Sequence, residues 1–105
     1  MGPKTKELID VLEQLISLLE SDNEKHWAGR LKQARSRILN ADYSGIESLL
    51  SAYGGMGSFN DLVICQTVKN GKVEFMEGYA EKNETLSELR AKARELAVYI
   101  KHDQA

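Results

Sequence analysis

The chain has one cysteine, Cys65, so no intramolecular disulfide can close, and this fits a reducing compartment. Its N-terminus is not followed by an uninterrupted apolar segment. The run from Leu8 to Leu19 is broken by Asp10, Glu13 and Gln14, which excludes a signal peptide or membrane span there and leaves the cytoplasm as the expected compartment. Net charge is small, −2 at pH 7, which argues against general nucleic-acid binding. The only histidines, His26 and His102, stand 76 positions apart, so zinc-ligand spacing is absent and no metal or other cofactor is expected. No serine lies in a nucleophile-elbow pattern. Cys65 falls in an apolar run and reads as a buried structural thiol, not an activated thiolate. Together these absences point away from an enzyme.

What is present is an ordinary globular mixture over 105 residues, 42% hydrophobic and 29% charged, the size of a single domain. Residues 5–20 read as a helix, with Leu8, Val11, Leu12, Leu15, Ile16, Leu18 and Leu19 on one side at 3.6 residues per turn. That face is wider than the roughly 100° stripe of a surface helix, so it forms the spine of the core. Asn23 or a neighbour caps a second helix over about 24–39, whose narrow stripe is Trp27, Leu31, Ala34 and Ile38. Ser44 and Glu47 have capping-box spacing and open a short third helix to Tyr53, with Gly54 and Gly55 at its expected left-handed end. Leu62–Val68 and Val73–Met76 flank Asn70-Gly71, the signature of a type I′ hairpin over about 62–76. Its register sets Val68 opposite Val73 and Gln66 opposite Phe75. A lone hairpin is marginal in water, so it is expected to lie on the helices. Asn83 or Thr85 caps a long last helix with the stripe Leu86, Leu89, Ala93, Leu96, Ala97 and Ile100. The fold class is α+β, helix-dominated.

Three of the eight glycines fall within four residues of the segment Tyr53–Asp61. Two readings compete. Gly54, Gly55 and Gly57 form an anion-binding nest with Ser58, Asn60 and Asp61, making a small-molecule or anion-binding regulator. Alternatively the segment is a helix stop and tight connection, with Met56 and Phe59 in the core and Asn60 or Asp61 bonded to the loop's own backbone. The second is favoured: a phosphate loop runs from strand to helix with a base nearby, whereas here a helix leads and no lysine or arginine lies between 38 and 68. Trp27 reads as a core anchor.

Charge is unevenly laid out. Residues 25–37 carry Lys25, Arg30, Lys32, Arg35 and Arg37 without an acid, whereas Glu74, Glu77, Glu81, Glu84 and Glu88 face Lys82 alone. Solvated faces or pairing between the first two helices is the plain account. A docking surface is the functional one, an acidic stripe steering a basic protein partner.

The segments His26-Trp27-Ala28, Asp42-Tyr43-Ser44-Gly45-Ile46-Glu47 and Ala52–Leu62 together resemble a family of small bacterial domains of unknown function with a Y-G-G-M-G-S-F-N-D-L core motif, over about residues 8 to 100. The resemblance brings no activity. Small bacterial chains of this kind are often immunity proteins for secreted toxins, or antitoxins. The expectation is therefore a cytoplasmic, non-enzymatic interaction protein that inhibits a basic toxin such as a nuclease, with no membrane contact.

Overall fold

The computed structural model describes residues 2–54 and 57–104. Helix α1 spans Pro3–Ser21, with proline where its missing N–H costs nothing. It buries Leu8, Ile9, Val11, Leu12, Leu15, Ile16 and Leu19, while Leu18 is only half-buried. The broad face is explained by two neighbours: α1 packs against both α2 (Lys25–Leu39) and α4 (Tyr79–Gln104). Helix α3 (Ser44–Ser51) closes the bundle against α2 and α4. Its approach is tight, since a Cβ on Gly45 would lie 2.8 Å from the Ala34 carbonyl oxygen and from Ile38 Cγ1. The expected stripe of α2 is buried throughout, as is that of α4 apart from half-buried Leu89.

Three expected caps are not formed. Asn23 takes a positive φ of 60° in the reversal after α1, and Glu24 becomes the N-cap without a side-chain bond. Ser44 is the first residue inside α3, one position too late to cap it; Asp42 Oδ1 instead accepts the Ser44 N–H at 2.9 Å. Hydrogen bonding from the Ser44 hydroxyl first, and from its N–H second, holds the Asp42 carboxyl below its usual pKa. Helix α4 starts at Tyr79, straight after Gly78 at φ 82°, so Asn83 and Thr85 lie within it. The Asn83 amide has a different task. Its Oδ1 accepts the Ile64 N–H at 2.9 Å and its Nδ2 donates to the Ile64 carbonyl at 2.8 Å.

The hairpin has the expected register, with Val68 opposite Val73 and Gln66 opposite Phe75. Asn70 and Gly71 have φ of 54° and 77°, as a type I′ turn needs. Its strands are shorter than expected, β1 Gln66–Lys69 and β2 Lys72–Phe75. Leu62–Ile64 form no strand, and Cys65 breaks the run at φ 63°. The expectation that the hairpin lies on the helices is wrong. All eight strand residues are exposed, and neither strand makes extended contact with a helix. The helical stripes close on one another, and Phe59, Ile64 and Cys65 complete the core, which leaves the hairpin nothing to cover. It is held at its base, where Met76 N–H donates to the Cys65 carbonyl at 2.9 Å and the Phe75 and Tyr79 rings lie 4.3 Å apart.

Candidate functional site

The glycine segment builds a joint. Gly57, rather than Gly54, has the left-handed φ, 71°. Phe59 N–H donates to the Ala52 carbonyl at 2.9 Å, which turns the chain back across the end of α3. Residues Phe59–Asp61 then form one 3-10 turn that the sequence reading missed; Ser58 caps it, its hydroxyl accepting the Asn60 N–H. Asp61 Oδ2 accepts the Gly57 N–H at 3.0 Å. The Phe59 ring, wholly buried, sits 5.3 Å from Trp27 and 5.6 Å from Tyr53. Trp27 is itself buried, as expected, with the Arg30 guanidinium 5.4 Å from its ring.

Arg90 of α4 fastens this joint. Its Nη1 donates to the Phe59 carbonyl at 2.9 Å and the Leu62 carbonyl at 3.0 Å. Tyr53 returns the connection by donating its hydroxyl to the Arg90 carbonyl at 2.7 Å. Burial pushes the Tyr53 phenol well above its ordinary value and draws the Arg90 guanidinium down. The carbonyls that follow the glycines are therefore satisfied inside the protein, as buried backbone groups must be.

Of the residues proposed for an anion nest, Gly54, Gly57, Asn60 and Asp61 are exposed and Ser58 is buried; Gly55, like Met56, lies outside the described residues. Gly57, Ser58, Asp61 and Trp27 do share the wall of a shallow depression of about 290 Å³. The Gly57 N–H is already taken by the Asp61 carboxylate, which an incoming anion would face. A larger cleft of about 400 Å³ lies between the start of α1 and the α2–α3 connection, walled by Thr5, Leu39, Tyr43 and Ile46. Its carboxylate, Asp42, is committed to Ser44. Among the described residues, no group of three or more histidine, cysteine or acidic side chains is placed to hold a metal, and no helix is long and apolar enough to cross a membrane. The Cys65 thiol is buried, 3.1 Å from the Glu77 carbonyl.

The two charged faces behave differently. On α2, Lys32 reaches Glu20 of α1 at 2.8 Å and Arg35 pairs with Glu13, so part of the basic run is used within the fold. Glu74, Glu77, Glu81, Glu84 and Glu88 are all exposed, and none enters an ion pair among the described residues. They are not one stripe. Glu81, Glu84 and Glu88 share a face of α4, at spacings of three and four residues. Glu74 lies on the hairpin's polar face with Thr67, Lys69 and Lys72.

The opposite hairpin face carries what the sequence reading overlooked. Val68, Val73 and Phe75 are 69%, 54% and 64% exposed; Met76, next in the chain and 55% exposed, falls on the other parity. The signal was available: Val68, Val73 and Phe75 share one parity of the ladder while their neighbours are polar. The helical stripes cover one another and leave the bundle no apolar surface to cover this face.

No curated protein and no solved structure matches this chain. A family profile does match, over residues 20–73, a span that runs from the end of α1 through the Trp27–Phe59 joint into the hairpin, and the chain belongs to that family, a domain of unknown function (DUF6966).

Proposed function

We propose that this chain is a non-enzymatic protein-interaction module, an immunity protein that acts in the cytoplasm and neutralises a toxin by covering a basic surface such as that of a nuclease. The observation that carries this reading is the hairpin. A fold rarely leaves two valines and a phenylalanine together on one face in water unless something covers them. Exposed glutamates of α4 and of the turn that leads to it follow the hairpin in the chain. Protein interfaces combine such apolar surface, where aromatic side chains give affinity, with charges that speed encounter.

The test is co-expression with a toxin-tailed product encoded beside this chain, followed by binding measured at two salt concentrations. Wild type should protect cells and bind tightly. Reversing Glu74, Glu77 and Glu81 together to Lys should slow association by about tenfold or more at low salt, with a smaller effect at high salt. Unchanged tight binding by the triple variant would end the acidic-docking reading.

A further inference from the structure

We propose that the β2 edge is where two copies of this chain pair, strand to antiparallel strand, about a two-fold axis at Val73. The starting observation is which backbone groups the hairpin leaves open. Cys65 and Met76 share the ladder register and are hydrogen-bonded, 2.9 Å from Met76 N to the Cys65 carbonyl. Bonded and non-bonded pairs alternate in an antiparallel ladder. The bonded pairs are therefore Cys65–Met76, Thr67–Glu74 and Lys69–Lys72. The N–H and C=O groups of Val73 and Phe75 point away from β1, along the outer edge of β2. Among the described residues the sheet has two strands, and none pairs with that edge.

Charge selects the occupant. In the sequence Lys72-Val73-Glu74, a second antiparallel copy centred on Val73 sets Lys72 opposite Glu74 of the other chain, and Glu74 opposite its Lys72. Two opposite-charge cross-strand pairs then flank a mutual Val73–Val73 hydrogen-bonded pair. The valines also extend the apolar face of Val68, Val73 and Phe75 across the axis. A register centred on Glu74 would place the two carboxylates face to face. The β1 edge, Gln66-Thr67-Val68-Lys69, has no acid to offer its own copy. Pairing β1 with β2 would be heterologous, running on into a ring or a filament, whereas the β2 pairing is isologous and ends at two copies.

Sedimentation of the full chain, without any partner, tests this apart from the docking reading. Wild type should pass from monomer to dimer as concentration rises. Lys72→Glu and Glu74→Lys should each raise the dimer dissociation constant by roughly tenfold or more, and the double exchange should restore it. Glu74→Gln should weaken the dimer. Helical circular dichroism checks that each variant is folded, since the exchanged residues lie outside the bundle. A wild type that stays monomeric up to about millimolar concentration, a dimer indifferent to the exchanges, or a dimer tightened by Glu74→Gln overturns the proposal.

Discussion

The chain has two phenylalanines, and they sit in opposite surroundings. Phe59 is fully buried among Trp27, Tyr53 and the Arg90 guanidinium. Phe75 is 64% exposed on a hairpin that touches the bundle little. Around Phe59 the backbone is bonded within the fold: its N–H to Ala52, its carbonyl to Arg90. Around Phe75 the outer edge of the strand is open. One region spends its aromatic and polar groups on holding the chain in place. The other holds apolar surface and hydrogen-bonding groups in reserve, the condition of a binding element carried on a rigid frame. The glycine-rich segment thus belongs to the frame.

The largest expected effect comes from Phe59→Ala. Removing a fully buried phenylalanine should destabilise the fold by about 3–5 kcal/mol, through lost burial and the cavity left behind. Urea unfolding followed by helical circular dichroism measures it. A loss below about 1 kcal/mol would mean that the joint is peripheral and the contrast with Phe75 is false.

Gly45 tests the frame at a second point. An alanine there must enter space held by the Ala34 carbonyl oxygen, 2.8 Å away, and backbone cannot yield as a flexible side chain does. Gly45→Ala should cost about 1–3 kcal/mol although alanine is the better helix former. A gain in stability would show that α3 can move off α2 freely.

Much of the frame was legible, because helix stripes and the Asn-Gly turn are local signals. Leu8, Leu12, Leu15 and Leu19 declare a buried face by spacing alone, and the pairing of Val68 with Val73 follows from the two-residue loop. Caps were harder. Ser44 has the right spacing to Glu47, yet the helix begins one residue earlier because Asp42 takes the Ser44 N–H. Arg90 and Asn83 could not be found from spacing. Their partners, Phe59, Leu62 and Ile64, are backbone groups 19 to 31 positions away, brought close only by packing. The exposed hairpin face was visible as a pattern but not as exposed, since exposure depends on whether the helices have apolar surface left to share.

The frame also makes a prediction about pH. The Tyr53 phenol is neutral in the fold, and burial raises its pKa above the unfolded value near 10. A raised folded pKa means that its contribution is complete below about pH 10 and is lost as pH climbs toward the folded value, because the unfolded chain releases the proton first. Stability measured from pH 9 to pH 11 should fall with a slope that approaches one proton. Tyr53→Phe should flatten that slope, at a cost of about 1 kcal/mol at neutral pH for the lost bond to the Arg90 carbonyl. An unchanged slope in the variant would place the alkaline sensitivity elsewhere.

The smallest expected stability effect belongs to the other phenylalanine, and it sharpens the comparison most. Phe75→Ser removes a ring that the fold barely uses, so unfolding should shift by no more than about 0.5 kcal/mol. The modest loss comes from its contact with the Tyr79 ring. If the hairpin face is the centre of an interface, the same substitution should weaken partner binding by about thirtyfold or more, as truncation of a central aromatic does. The two phenylalanines then separate cleanly: Phe59→Ala weakens the fold, whereas Phe75→Ser keeps the fold's stability and loses the partner. A Phe75→Ser protein that binds as wild type does would leave the exposed face without a role, and would return attention to the glutamates of α4 as the surface that meets the partner.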